Sequence, residues 1–352
     1  MLRESNGETR VATYVEALRE AIEQEMERDP TVMLFGLDVD DHLGILGSTR
    51  GLLQRFGSER VFTTPLSEDS MTGVAIGAAM AGMRPIHVHI RMDFLMLAMN
   101  QLINIAAKTH YMYGGAYKVP LVVRCIIGKS WGQGAQHSQG LHSMFMHVPG
   151  LTVAAPSNAF DAKGCLIAAV RDDNPVIFVE HRLLYNTEAI VPEESFVAEI
   201  GKGRLVAPGN DITLVGISSM VMECLRAREL LAEIGISAAV VDPVWLTPLD
   251  METIASSANR TGRVLVADNA WTSCGASAEI VARLAEGDKV PKMARIGFAP
   301  TTCPTTPWLE EHFYANPATI AAKASAMVAG GNWMPDRERA RMVHQMSFRG
   351  PF

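Results

Sequence analysis

The stretch TTPLSEDSMTGVAIGAAMAGMRPIHVHIRMDF, residues 63–94, decides the fold. It starts at the end of a short β-rich run, continues through small apolar residues, and closes on a second β-rich run. A strand, a helix and a strand in this order predict parallel strands joined by a helical crossover. Glu68 stands between the first run and the small residues. We therefore expect it at the carboxyl end of a strand, where open parallel sheets bind their ligands.

The same alternation extends outward from this stretch in both directions. Predicted strands and helices alternate up to residue 186, and again after a polar break at RLLYNTEAIVPEESFVAEIGKGR. The strands of the first part are TVMLFGL, RVFTT, RPIHVHI, VPLVVRCII, LTVAAP and PVIFVEH, with helices over 11–26, 71–83, 93–112 and 159–170. The second part has strands DITLVGIS, SAAVVDPVWL and RVLVADN, with helices over 220–234, from Asp250 and over 275–284. This pattern predicts an α/β protein with parallel sheets. Its expected parts are a domain at 1–186, a linker at 187–205, a domain at 206–330 and a charged tail at 331–352.

Composition excludes several classes of protein. The 352 residues are 48% hydrophobic and 20% charged, as in an ordinary folded protein. A net charge of −7 disfavours nucleic acid as the main partner, because phosphate binding needs a basic face. Five widely spaced cysteines without a CxxC pair indicate reduced thiols. With a polar start and no run of about 20 apolar residues, the chain is expected to be cytoplasmic and free of the membrane.

Two features of residues 63–94 need an explanation beyond the fold. A lone acid in the first turn of a helix is usually structural, because the helix dipole favours it there. Gly73, Gly77 and Ala81 recur at a spacing of four, so one face of the predicted helix is nearly bare of side chains. Such a stripe lets another backbone approach closely, which predicts a tightly packed helix pair, either within the chain or across a subunit boundary.

Five segments occur in an order that resembles a known family. They are TPLSEDSMTGVAIGAAMAGMRPI, NQLINIAAKTHYMYGG, GQGAQHSQGLHSMFMHVPGL, DAKGCLIAAVRDDNPVIFVEHRLLY and VDPVWLTPLD. Together they resemble the β subunit of the thiamine-diphosphate-dependent first component of 2-oxo-acid dehydrogenase complexes, across about residues 10–330. The resemblance implies a pyrimidine-binding domain followed by a transketolase C-terminal-like domain. It also implies cleavage of a carbon–carbon bond next to a carbonyl, by decarboxylation and dehydrogenation of a 2-oxo acid with acyl transfer.

The resemblance assigns roles to individual residues. Glu68 matches the glutamate that contacts the aminopyrimidine ring of thiamine diphosphate and assists the proton transfers that activate the cofactor. Phe94 matches the aromatic residue packed against this ring, and Ile90 is assigned to the same cofactor pocket. His137, in AQHSQ, matches the histidine that serves the substrate. Glu68 and His137 are therefore the expected catalytic residues.

One expected motif is missing from the sequence. The family holds the diphosphate through Mg²⁺ with a Gly-Asp-Gly motif and a later asparagine. EGDKV at 286–290 with Asn316 has a similar spacing, but Lys289 replaces the second glycine and no apolar strand precedes it. We reject this match, because a motif without its structural context is usually accidental. The resemblance then implies an α-type partner that holds most of the Mg²⁺ site, an α2β2 assembly, and a lipoyl domain or acyl carrier protein as a further partner.

A potassium site is a second expectation from the resemblance. The segment AAVRDDNP matches a potassium-binding loop of some relatives. Its ligands here would be Leu121, Ala169, Val170, Asp172 and Asn174. An ordinary helix C-terminus explains the same segment equally well, since both use Asp and Asn.

The chain departs from the family's pattern in IHVHIRMDF. His87, His89 and Arg91 alternate with apolar residues, so three basic groups are expected on one face of a strand. His142 adds a polar group near the same loops. Residues in such a strand can also vary without any effect on function. The alternative is that His89, Arg91 and His142 are substrate residues. Basic groups there suit a phosphate, which gives the alternative of transketolase-like transfer of a two-carbon ketol unit from a ketose phosphate to an aldose or carrier protein. A non-catalytic scaffold subunit is the third possibility, disfavoured because Glu68, Phe94 and His137 occur together.

Overall fold

The computed structural model describes residues 8–41, 43–129 and 132–345. The strands are β1 (Thr9–Thr13), β2 (Val32–Gly36), β3 (Val61–Thr63), β4 (Arg84–His89), β5 (Val122–Ile127), β6 (Thr152–Ala154), β7 (Val176–His181), β8 (Glu188–Pro192), β9 (Arg204–Ala207), β10 (Ile212–Gly216), β11 (Ala238–Asp242), β12 (Trp245–Thr247), β13 (Arg263–Trp271) and β14 (Lys292–Phe298). The helices are α1 (Tyr14–Arg28), α2 (Leu52–Phe56), α3 (Glu68–Met80), α4 (Met92–Leu95), α5 (Ala107–Met112), α6 (His142–Met146), α7 (Ala159–Arg171), α8 (Met220–Ala232), α9 (Met251–Thr261), α10 (Ala276–Ala285), α11 (Pro307–Phe313), α12 (Pro317–Val328) and α13 (Arg337–Gln345). The chain forms two compact units, Met1–Ile127 with Met144–Ile200, and Gly128–Ser143 with Gly201–Phe352.

The first unit contains a sheet of six parallel strands in the order β6-β7-β5-β4-β2-β3. Helix α3 joins β3 to β4, but β2 lies between these two strands. The crossover predicted from residues 63–94 is therefore present, although the strands that it joins are not neighbours. Strand β1 pairs with β8 in a separate antiparallel ribbon. The α/β fold with parallel sheets predicted from the alternation is confirmed in this unit.

The second unit contains a sheet in the order β14-β13-β10-β11-β9. Its first four strands are parallel, and β9 runs antiparallel to β11. Apolar side chains of α8 and α12 pack in the core over β10, β11 and β13. Helix α13 falls within the predicted tail, and its Val343 is buried in the same core. The charged composition of this segment gave no sign of a packed helix.

The first predicted helix begins later than expected. The helix predicted from residue 11 begins at Tyr14, because Val11 belongs to β1 and Thr13 caps the helix. Thr13 and Glu16 form a capping box, in which each side chain bonds to the other residue's backbone N–H.

The helix predicted over 93–112 is present as a continuous helical segment, but its hydrogen-bonding pattern changes along its length. This segment contains α4, a 3₁₀ turn at Met96–Ala98, a π-helix at Gln101–Ala106, and α5. Its sequence contains neither proline nor glycine, so local propensity gives no sign of these changes in helix type. Within the described residues, no helix is both long enough and apolar enough to cross a membrane.

Candidate active site at the ends of three parallel strands

Strands β4, β2 and β3 are neighbours, and their carboxyl ends lie at one edge of the first unit's sheet. Each of these strands is followed by a residue that could contact a ligand. Asp38 follows β2, Glu68 follows β3, and Phe94 follows β4. The sheet topology therefore brings the carboxyl ends of these three strands together at one edge, and the three residues follow those ends. This is the edge where open parallel sheets bind ligands.

Glu68 is the first residue of α3. Its side chain is partly exposed, and it forms no hydrogen bond or ion pair with any residue that the structure describes. Glu68 and Asp69 both lie in the first turn, where the helix dipole favours negative charge. The start of α3 fixes the backbone position of Glu68, and the carboxylate oxygens remain available to a ligand.

The small-residue face of α3 is only partly covered within the chain. A side chain at Gly73 would meet Gln101 at 3.6 Å, whereas a side chain at Gly77 would meet no atom within 4 Å. Val74 and Ala81 on the same helix are exposed. The contact across a subunit boundary that the sequence predicts stays a prediction.

A buried histidine pair lies behind the first turns of α3. His89 Nε2 is 3.3 Å from the Thr72 hydroxyl, and Thr72 lies one turn along α3 from Glu68. The His87 and His89 rings meet edge to face with centroids 4.3 Å apart, and His87 also packs against Phe35. His87 Nδ1 donates a weak hydrogen bond of 3.4 Å to the Phe35 carbonyl. Both histidines are only 2% exposed.

Burial decides the charge of these two histidines. It lowers the pKa of His87 to about 4, because the charged imidazolium loses its hydration. Burial also lowers the pKa of His89 well below its usual value, and the proximity of His87 adds to this effect. Both rings are therefore neutral at physiological pH. They do not supply the positive charge that the alternation of basic residues suggested.

The expectation that Arg91 shares a strand face with the histidines is wrong. Strand β4 ends at His89, and Arg91 is the residue that precedes α4. Its guanidinium is buried, with Nε 3.9 Å from the Asp93 carboxylate, so that a negative group of the same segment faces it. Ile90 and Phe94 follow the strand end and are both partly exposed, as residues of a ligand pocket would be.

His137 lies in the second unit, on the segment between β5 and α6. Its backbone N–H closes a turn to the Gly134 carbonyl, and its side chain is partly exposed. His142, five residues later, is almost fully buried, and its Nε2 donates to the Asp268 carboxylate at 2.9 Å. The two histidines thus differ in accessibility, and the ring nitrogen of His142 that faces Asp268 is already engaged.

The loop proposed for potassium already receives a cation from the protein. Arg84 donates from Nη1 to the carbonyls of Val170 and Asp172, both at 2.9 Å. The Leu121 carbonyl accepts from the N–H of Val176 at 2.8 Å. Asp172 also caps the C-terminus of α7, as the alternative explanation requires. Each carbonyl keeps a second lone pair, so potassium at this loop stays a prediction.

The rejected diphosphate motif has no suitable structure around it. Gly287 and Asp288 lie in the turn after α10, not after a strand. Asn316 is the N-cap of α12, and its side-chain oxygen accepts from the N–H of Thr319 at 3.0 Å. Within the described ranges, no three His, Cys, Asp or Glu side chains are grouped so as to hold a metal ion.

Sequence reasoning missed three residues, one that follows a strand end and two that bond to candidate histidines. Asp38 is exposed at the end of β2 with a left-handed backbone (φ 55°). It could have been predicted as Glu68 was, because ligands bind at the carboxyl ends of parallel strands. Thr72 and Asp268 left no local signal, because their importance comes from contacts with histidines elsewhere in the chain.

A parallel sheet with a glutamate at its strand ends, followed by a second α/β unit, is the arrangement expected of a transketolase-like protein. The family model of the transketolase pyrimidine-binding domain matches residues 10–188, and that of the transketolase C-terminal domain matches residues 201–320. The chain belongs to this family of thiamine-diphosphate-dependent enzymes and, within it, to the β subunits of the 2-oxo-acid dehydrogenase type.

Two relatives agree with this assignment, and a solved structure has the same fold. The chain is 40% identical to the β subunit of acetoin:2,6-dichlorophenolindophenol oxidoreductase of Cupriavidus necator, covering 90% of this chain and 97% of the relative. It is also 40% identical to the mitochondrial β subunit of the human pyruvate dehydrogenase E1 component, covering 78% of each chain. A split-gene transketolase, solved as an inactive β4 tetramer, superposes with a TM-score of 0.74 at 20% identity, covering 89% of this chain and 97% of that one.

Proposed function

We propose that this chain is the β subunit of a thiamine-diphosphate-dependent enzyme that cleaves a carbon–carbon bond next to a carbonyl. The reaction is decarboxylation and dehydrogenation of a 2-oxo acid, with transfer of the acyl group. One observation carries the proposal: Glu68 stands at the ligand-binding edge of a parallel sheet, without a partner among the described residues. The 40% identity to β subunits of this type supports the same conclusion.

The residues at this edge suit the pyrimidine end of the cofactor. Thiamine diphosphate would supply a nucleophilic carbon for the substrate carbonyl and a ring that serves as the sink for the electron pair of the cleaved bond. Glu68 would hold a proton at the pyrimidine nitrogen, and Phe94 and Ile90 would pack against the ring. His137 would stabilise the substrate or transfer a proton to it. A carboxylate that is free of internal partners is what such a proton-holding role requires.

An α-type partner would hold the diphosphate end and its Mg²⁺. Two observations support this division: Asn316 is engaged in capping α12, and Gly287 and Asp288 lie in the turn after α10 and not after a strand. The activity would then require both chains, most simply as an α2β2 heterotetramer with its active site at the boundary between chains. A lipoyl domain or an acyl carrier protein would accept the acyl group.

Ketol transfer from a ketose phosphate is less well supported. That alternative depended on three basic groups at the end of β4. Burial keeps His87 and His89 neutral, and Asp93 faces Arg91, so a cluster of positive charge for a phosphate is absent from this part of the described chain. The scaffold alternative is also weaker, because a scaffold has no need for a glutamate without internal partners at the ligand-binding edge.

The proposal is tested on the chain purified with an α-type subunit, thiamine diphosphate and Mg²⁺. Reduction of 2,6-dichlorophenolindophenol is followed with pyruvate, a branched-chain 2-oxo acid and acetoin as separate donors, each donor being oxidised as the dye takes up two electrons. Turnover of a 2-oxo acid supports the proposal, whereas turnover of acetoin alone moves the substrate to a hydroxyketone. Consumption of xylulose 5-phosphate with an aldose, without dye reduction, would replace the proposal with ketol transfer.

A further inference from the structure

The His142–Asp268 pair is almost completely buried in the second unit. His142 is 1% exposed and Asp268 is fully buried. Asp268 accepts from His142 Nε2 at 2.9 Å through one oxygen and from the Ser277 N–H at 3.2 Å through the other. Without His142, the buried carboxylate would keep only the backbone donor. A buried charge that loses its partner is strongly destabilising, so the imidazole and the carboxylate hold each other in place.

The pair forms one end of the loop that carries His137. At Gly140 the loop lies so close to β13 that a side chain would come within 1.7 Å of the Asn269 carbonyl. Asn269 is itself held, because its amide donates to the Ile217 carbonyl at 2.9 Å. Gly140 and His142 therefore fix the loop to two consecutive residues of β13, Asn269 and Asp268.

The other end of the loop is fixed at a different point of the same unit. A side chain at Gly132 would come within 2.4 Å of the Thr305 carbonyl. His137 lies five residues from Gly132 and five from His142, midway between the two attachments. Close backbone packing leaves no room for adjustment at Gly132 and Gly140. The hydrogen bond between His142 and Asp268 is an attachment that depends on side-chain chemistry, so substitution can test it.

We propose that His142 and Asp268 are positioning residues that set the place of His137, rather than ligands of the substrate. The catalytic part of this inference rests on the proposed function, whereas its structural part does not. The role differs from the substrate contact that the sequence suggested for His142, because burial keeps the ring from solvent and its Nε2 is already bonded to Asp268. The pair controls the reaction by holding the loop in the arrangement that His137 needs.

Hydrogen–deuterium exchange of the full chain tests the structural part. In His142→Leu, which removes the donor, peptides covering 132–143 should exchange about tenfold faster than in the wild type, because local opening becomes easier. His142→Gln keeps an N–H donor and should restore slow exchange. Asp268→Asn serves as a second variant if His142→Leu does not fold. Glu223→Gln, which removes a largely buried ion pair with Arg226 in the same unit, is the matched control and should leave the loop unchanged.

Activity in the complex with the α-type subunit tests the catalytic part. His142→Leu should lower kcat about tenfold or more with little change in KM, and His142→Gln should recover most of it. Unchanged loop exchange in both His142→Leu and Asp268→Asn would overturn the proposal, as would faster exchange spread evenly over the second unit. A rise in KM with unchanged kcat would return His142 to substrate binding. If the wild type turns over none of the donors, the proposed function fails while the exchange result still decides whether the pair holds the loop.

Discussion

Two glutamates of the first unit have opposite environments. Glu180 is fully buried on β7, where Arg124 Nη2 donates to it at 2.8 Å and the Tyr185 hydroxyl at 2.8 Å. Glu68 lies at the edge of the same sheet, partly exposed and without a partner among the described residues. The Glu180 charge is used to hold the core together, since its partners belong to the chain. The Glu68 carboxylate remains available to a bound ligand. This difference distinguishes a structural carboxylate from a functional one.

Replacing Glu68 should have the largest effect of all the changes considered. If Glu68 proves dispensable, the contrast between the two glutamates is wrong. Glu68→Gln should lower turnover by about 10²–10⁴-fold, because an amide cannot take over the proton-holding role. The thermal midpoint of unfolding should stay near that of the wild type, since no internal partner is lost. Dye reduction in the α–β complex and a thermal melt measure the two quantities. Asp69→Asn, one residue along the same exposed turn, is the control and should keep full turnover; equal activity in both variants would contradict the role of Glu68.

The opposite result is expected for the buried pair. Arg124→Met should lower the free energy of unfolding by about 3–5 kcal/mol, because it leaves the Glu180 carboxylate with only Tyr185 as a partner. Urea denaturation measures the loss. The double variant Arg124→Met/Glu180→Met should lose less than the sum of the two single variants, as expected for residues in direct contact. Additive losses would show that the ion pair does not hold this core.

The histidine pair behind α3 is an intermediate case, because its members are buried without an opposite charge. His87 has a folded pKa of about 4, below its usual value of 6.5, so the unfolded chain binds more protons between these pH values. Its stabilising contribution is complete above about pH 6.5 and is lost as the pH falls towards 4. The loss amounts to about 3 kcal/mol from His87 alone.

This pH dependence is measured by urea denaturation of the wild type and of His87→Asn at several values between pH 4 and 7. The variant lacks the titrating ring, so its stability should fall less steeply over this range. Identical slopes in the two proteins would mean that folding does not lower the pKa of His87. The argument against a phosphate-binding cluster at the end of β4 would then have to be withdrawn.

The smallest effect concerns Asn316. Asn316→Ala should lower the free energy of unfolding by about 1 kcal/mol, the usual cost of losing an N-cap. Binding of thiamine diphosphate and Mg²⁺ to the α–β complex, followed by isothermal titration, should be unchanged. A large loss of binding in this variant would reopen the Gly-Asp motif at 287–288 as a metal site.

Much of the candidate site could be predicted because its signals are local. The position of Glu68 follows from the order of strand, acid and helix within a few residues, and the structure places it at the start of α3 as expected. The protonation of His87 and His89 could not be predicted in this way. Alternation showed that the two rings share a face, but only the packing of Phe35 and α3 against them removes water and keeps them neutral.

The order of residues along the chain was enough to predict the alternation of strands and helices, the two-part organisation, and a carboxylate at a strand end. These properties depend on side-chain period and on the nearest neighbours along the chain. Only the tertiary structure decided that β2 lies between β3 and β4, that Arg91 leaves the strand, and that His142 pairs with a carboxylate 126 positions away. These outcomes depend on which distant segments pack together, and packing alone decides where water is excluded and which charges find a partner.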